Sequence, residues 1–234
     1  MTAVSEKPPI PVITIDGPSG TGKGTLCHKI AQYLNWHVLD SGCIYRVLAY
    51  AAIQYKLKLT DAARLIKLLH KLNLSFHMDH DQNLVLLNGK NIFTAIRTED
   101  CGQAASKIAI LPTVREALLE QQRAFAKPPG LVTDGRDMGT VVFPDAFLKI
   151  YLIATASERA NRRYLQLKEK GIDVSLSVVM DEMLKRDSRD LDRLAAPLQP
   201  AKDALIVDTS GLTIAKVLDI VLKLVEDRLY PGER

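Results

Sequence analysis

The residues with the clearest capacity for chemistry lie at positions 17–25, GPSGTGKGT. Glycines at 17, 20, 22 and 24 permit backbone conformations closed to other residues, so successive N–H groups can turn inward around an anion. Lys23 adds a positive charge beside them, and Pro18, Ser19, Thr21 and Thr25 complete the loop. The spacing of Gly17, Gly22 and Lys23 is that of a loop cradling nucleotide phosphates, with ATP as the expected ligand.

One position departs from the common form of this loop. Gly24 follows the lysine where Ser or Thr usually binds magnesium, and the hydroxyl comes one residue later at Thr25. The expected Mg2+ is then left to phosphate oxygens and waters, with no direct protein ligand assigned, which suits an ion that keeps its hydration shell.

Further polar clusters stand downstream. Asp40-Ser41-Gly42 precedes Tyr45 and Arg46; Ser41 either caps a helix or faces the phosphate loop. Asp134-Gly135-Arg136-Asp137 places an arginine between two carboxylates in a glycine-flanked turn. Arg136 can pair with phosphate, and Asp137 can accept from an exocyclic amine. Arg186, Arg189 and Arg193 share a helical face, either as a cationic strip or as a solvated face laced with ion pairs. Arg159, Arg162 and Arg163 add to the positive charge there. Phosphoryl transfer calls for such groups, because charge spread over the transferred phosphate is stabilised by arginine and metal.

These residues need elements to hold them. The run 10–16 is apolar and β-branched, as in a strand covered on both faces, and residues 23–34 repeat apolar side chains at helical spacing. Further strands are expected at 36–40, 131–134, 148–154 and 204–208, and helices at 44–54, 113–126, 158–169 and 213–228. This alternation predicts an α/β fold with a five-stranded parallel sheet flanked by helices. Two excursions interrupt it. Residues 60–98 read as a helix (61–72) followed by a small antiparallel sheet (74–78, 84–87), joined through 79–83, with a turn at Asn88-Gly89; residues 165–200 are charged and helical.

The bulk properties exclude several classes. The 234 residues carry a net charge of only +4, with Lys and Arg dispersed, so a nucleic-acid partner is not expected. Cys27, Cys43 and Cys101 form neither a disulfide framework nor a metal motif, which points to a reducing cytoplasm. Nothing in the sequence suggests export or membrane insertion. His77 and His80 lack companions for a metal site, His28 and His37 receive no role, Trp36 is assigned to packing, and Tyr45 is left open.

The motifs ITIDGPSGTGKGT, LDSGCIYR, IRTED, DGRDMGTVVFPDA, the RD-x-x-RD-x-x-R run and the following APL together resemble the bacterial cytidylate kinase family over residues 12–210. The resemblance implies the P-loop nucleoside monophosphate kinase fold. Residues 1–59, 99–157 and 201–234 would be the core, 60–98 an NMP-binding insertion and 158–200 a helical lid. It implies transfer of the γ-phosphoryl group of ATP to CMP, and to dCMP, by a monomer. Carried over by motif, Lys23, Arg136 and Arg193 look like the catalytic cations, and residues 17–25 with Arg162 and Arg163 like the ATP side. Ser41, Ser106, Arg115 and Asp137 resemble base and nucleoside contacts. Arg46, Arg136 and Arg193 resemble acceptor-phosphate contacts, Arg186 and Asp190 sugar contacts, and Arg97 and Asp134 belong to the same pocket. A kinase for UMP, AMP or shikimate is the enzyme alternative. A nucleotide switch is disfavoured because no N-K-x-D motif occurs.

Overall fold

A computed structural model describes residues 9–78 and 83–229. Strands β1 (Val12–Asp16), β2 (His37–Asp40), β6 (Leu131–Gly135), β7 (Leu148–Ile153) and β8 (Leu205–Asp208) form one sheet in the order β2-β6-β1-β7-β8. Every pairing in it is parallel. Each residue of β1 and β6 is buried, the polar Thr14, Asp16, Thr133 and Asp134 included, as in central strands covered on both faces. The register sets Ile15 and Asp40 opposite Asp134, and Asp16 opposite Gly135. Three carboxylates therefore share one carboxyl edge, where ligands bind in open α/β sheets.

Helices cover both faces. On one, α1 (Lys23–Leu34) packs Leu26, Cys27, Ile30 and Ala31 with Val217, Val221 and Val225 of α8 (Ile214–Leu229), the one-turn spacing of a helix stripe. On the other lie α2 (Ser41–Gln54), α3 (Ala62–Leu69), α4 (Glu99–Ile108) and α5 (Pro112–Arg123), sharing Leu48, Leu65, Ile108 and Leu118 in a second core. Trp36 packs into the first core and over Gly130, where a Cβ would lie 2.3 Å from its ring.

Most helix ends shift by one to three residues from the sequence expectation, and two departures have a local physical cause. Helix α2 starts at Ser41 because Asp40 is its cap, accepting from Cys43 N at 3.0 Å. Helix α4 was not expected; it buries Cys101, Gly102, Ala104, Ala105, Ser106 and Ile108, and these mostly small residues let it fit close against α2. Its readable signal was Thr98, which caps it by accepting from Cys101 N, ahead of Glu99 and Asp100 in the first turn.

The first excursion holds α3 and the antiparallel sheet β3 (Leu74–Met78), β4 (Asn83–Leu87) and β5 (Lys90–Asn91). Asn88 and Gly89 both have positive φ, at 51° and 80°, as a two-residue hairpin turn with strand-matching twist requires. The connection expected over 79–83, with His80, lies outside the described residues apart from Asn83. Phe76 meets Phe125 edge to face at 5.5 Å, tying this sheet to the end of α5. The second excursion is a helix pair, α6 (Ala156–Glu169) and α7 (Leu176–Leu191), around its own small core of Ala160, Leu167, Val179 and Met183. Among the described residues, no helix is long and apolar enough to cross a membrane.

Candidate active site

The glycine loop joins β1 to α1. Gly17 has φ 141°, and a Cβ there would stand 2.2 Å from the Leu152 carbonyl oxygen, so only glycine closes this bend. Gly22 takes the left-handed position before α1 and leaves the helix N-terminus without a side-chain cap, open to an anion. The Lys23 Nζ donates to the Pro18 carbonyl at 2.6 Å and to Thr21 Oγ1 at 3.4 Å. Burial and the nearby Arg136 hold the Lys23 amine well below its ordinary pKa. Gly24 has no atom within 4 Å of its would-be Cβ, so a side chain is sterically admissible there.

A cavity of about 530 Å3 runs from this loop across the sheet edge to α4 and α5. Ser19, Gly20, Gly22, Lys23, Gly24 and Thr25 line one end. Ser41, Arg46, Arg97, Ser106, Arg115, Asp134, Arg136, Asp137, Arg186, Asp190 and Arg193 all line the rest. Because Asp40 caps α2, Ser41 has no capping duty; its Oγ would lie 2.5 Å from a Cβ on Gly135. Arg46 donates to the carbonyls of Ile96 and Thr98, and Gly102 makes room for it, since a Cβ there would come 2.9 Å from its guanidinium. The exposed Arg97 pairs with Asp40 at 3.5 Å and lies over the Phe93 ring.

Deeper in the cavity, Arg115 and Asp137 form a buried ion pair, and Arg115 also spans the Tyr45 ring at 5.7 Å. Burial pushes the Tyr45 hydroxyl up to about 12. The buried Ser106 Oγ has no partner. Burial, reinforced by Asp40, also raises the Asp134 carboxyl, whose Oδ1 is unpartnered, while Lys23 and Arg136 act in the opposite sense. Among the described residues, no three His, Cys, Asp or Glu side chains converge as a metal-binding group.

Helices α6 and α7 close over the loop. Arg159 donates to the Ser19 carbonyl at 3.0 Å and to Asp187 at 2.6 Å, and Ser19 Oγ reaches Asp187 at 3.4 Å. Arg136 donates to Asp190 at 2.8 Å and to Ser19 Oγ at 3.4 Å, linking β6, α7 and the loop. The Nε of Arg186 and Nη2 of Arg193 are buried donors without partners. Burial and the neighbouring Arg136 bring Arg186 down to about 10; burial and Arg115 likewise lower Arg193. Buried unpaired donors cost roughly 1–3 kcal/mol each, a cost that phosphate oxygens would relieve.

The expected arginine strip divides. Arg186 and Arg193 face the cavity, whereas Arg189 turns to Gln103 of α4 at 2.5 Å. Arg163 lines the cavity but is held by Glu99 at 2.7 Å. Arg162 stands behind the loop, donating to Thr209 Oγ1 at 3.0 Å, and Thr209 in turn reaches the Thr21 carbonyl at 3.4 Å. Residues that the sequence reading passed over are Asp187 and Asp16, which hold the loop and the 138–142 turn, and His28, which lines the cavity and contacts the Gly24 carbonyl at 2.8 Å. A polar residue closing an apolar strand was the available signal for Asp16.

The cytidylate kinase family model matches residues 13–227. A cytidylate kinase of Aeromonas salmonicida strain A449 is 55% identical over 219 residues, covering 94% of this chain and 95% of its own. Another, from Shewanella frigidimarina strain NCIMB 400, is 54% identical over 221 residues, covering 94% and 96%. With a match that runs from the first strand into the last helix around one anion-ready cavity, the chain belongs to the cytidylate kinase family.

Proposed function

We propose that the protein transfers the γ-phosphoryl group of ATP to CMP, and to dCMP, giving ADP and CDP or dCDP. The observation that carries this is a continuous cavity joining a phosphate loop to a chamber of arginines and polar side chains. ATP lies with its phosphates in the loop 17–25, where backbone N–H groups, the α1 N-terminus and Lys23 meet them. Arg162, behind the loop, and Arg163, on the cavity wall, belong to the ATP side. In the acceptor chamber, Ser41, Ser106, Arg115 and Asp137 recognise the cytosine edge, and Arg186 and Asp190 the sugar. UMP would leave buried polar groups of this chamber unpaired, and that is the basis of discrimination.

Arg46, Arg136 and Arg193 receive the acceptor phosphate and spread the charge of the transferred group. One acceptor phosphate oxygen forms the new bond to the γ-phosphorus as the bond to ADP breaks. That oxygen is already ionised at neutral pH, so positioning suffices and no general base is required. Magnesium fits as a hydrated ion. Asp134, with an unpartnered Oδ1 beside Lys23, and Thr25 at the cavity wall would hold its waters, and the ion would neutralise phosphate charge. Residues 158–200 act as the lid that excludes water, and 60–98 as the acceptor-side insertion.

The test is an acceptor panel of CMP, dCMP, UMP and AMP with ATP and magnesium at matched concentrations. CMP turnover well above UMP and AMP is expected. Preference for AMP or UMP, or slow ATP hydrolysis independent of any acceptor, would refute the assignment.

A further inference from the structure

The turn that carries Arg136 and Asp137 is capped from a different strand. Residues Met138–Val142 form a π-helical turn, a rare form. Its N-cap residue, Asp137, makes no side-chain capping bond, because its carboxylate is engaged by Arg115. Asp16 supplies the cap instead: Oδ1 accepts from Met138 N at 2.9 Å and Oδ2 from Gly139 N at 2.8 Å. Two residues earlier on the same face of β1, Thr14 lies against Gly139, where a Cβ would come 2.8 Å from the Thr14 Oγ1. The end of β1 is thus a seat for the acceptor turn. The next residue, Gly17, begins the phosphate loop, so one strand end anchors both halves of the site.

We infer that Asp16 is a positioning residue whose two carboxylate oxygens set the turn bearing Arg136 and Asp137 against the phosphate loop, governing acceptor binding and transfer without touching either nucleotide. The inference rests on the acceptor reading of that turn. Asp16 is buried, and it is not among the residues that face the cavity. Burial raises its pKa to about 6, and the two backbone N–H groups work against that rise, favouring the ionised form that can accept at both oxygens. An asparagine of the same shape has one acceptor oxygen, so its NH2 group would oppose one of the two N–H donors.

The test compares Asp16→Asn with Gly139→Ala, which displaces the same turn from the Thr14 side. In Asp16→Asn, amide hydrogen exchange at Met138 and Gly139 is expected to rise about tenfold or more, while exchange in α1 stays unchanged. With ATP and CMP, assayed well below each variant's melting temperature, both variants should raise KM for CMP about fivefold or more and lower kcat. KM for ATP should stay within about twofold. Equal rises in both KM values would overturn the positioning role, as would CMP parameters that stay within about twofold despite faster exchange. If the wild-type protein phosphorylates another acceptor or none, the functional reading fails separately. Unchanged exchange at residues 138 and 139 in Asp16→Asn would still refute the cap, whatever the acceptor.

Discussion

The phosphate loop and the acceptor chamber both receive phosphate, but they are made of different material. The loop is backbone: its glycines turn N–H groups inward, and its only cation, Lys23, is held by the loop's own Pro18 and Thr21. The chamber is side chain, assembled from α2, α4, α5, the β6 edge and α7, with Arg115, Arg136, Arg186 and Arg193 set among Asp134, Asp137 and Asp190. A backbone site fails when a methyl group is added where none fits. A side-chain site fails when a charge is removed, and because its charges are buried, its energetics depend on pH.

Gly17→Ala should break the loop most severely. The added Cβ would meet the Leu152 carbonyl at 2.2 Å in a positive-φ conformation, so ATP-dependent turnover should fall about 10³-fold or more, with ATP binding lost in calorimetry. Arg193→Ala should break the other side in a different manner. Turnover should fall by about 10²- to 10³-fold while KM for ATP changes little, because its proposed partners are the reacting phosphates. Unchanged turnover would remove Arg193 from the machinery.

Buried carboxyls in the chamber and directly behind it, Asp134 and Asp16, sharpen the contrast through pH. Burial raises Asp16 from 3.8 to about 6 and raises Asp134 as well. A carboxyl with a raised folded pKa stabilises the fold while protonated; as pH rises above its unfolded value, the unfolded chain ionises first and stability is lost until the folded pKa is passed. The ligand-free protein should therefore lose melting temperature between about pH 4 and pH 7 through these two groups. Asp134→Asn should flatten that dependence in thermal melts. Identical profiles for variant and wild type would show that Asp134 is not desolvated as described.

The smallest effect separates two glycines of one loop. Gly24 has open space around it and lies inside the first turn of α1, so Gly24→Ala should raise stability by about 0.5–1 kcal/mol, read as a higher melting temperature. A destabilised Gly24→Ala would mean that the loop resists any Cβ, not only one at Gly17.

Helices α6 and α7 stand apart from both regions. Their core of Ala160, Leu167, Val179 and Met183 is separate from the two cores of the sheet. They reach the rest of the molecule largely through polar contacts: Arg159 to Ser19, Arg163 to Glu99, and Arg189 to Gln103. Such contacts exchange with water and nucleotide more readily than apolar packing, which suits a unit proposed to open and close.

Much of this was legible in the amino-acid order. The apolar run before Gly17, the glycine spacing and the stripe after Lys23 act between neighbours in the chain, so strand, loop and helix could be read together. The Asn88-Gly89 turn was readable for the same reason, since it depends on the φ preferences of two adjacent residues. Helix α4 was not, because the residues it buries are mostly small, Cys101, Gly102, Ala104, Ala105 and Ser106, and Gly, Ser and Cys are weak helix formers that become a helix surface by packing against α2. The tertiary structure alone decided that Asp40, not Ser41, caps α2, that Arg189 leaves the cavity while Arg186 and Arg193 stay, and that Asp16 caps a turn more than a hundred residues away, at Met138 and Gly139. Backbone conformation is set by local sterics, and sequence carries it. The partner of a buried charge is set by which strand ends the sheet brings together, and that depends on the parallel register of β1, β2 and β6.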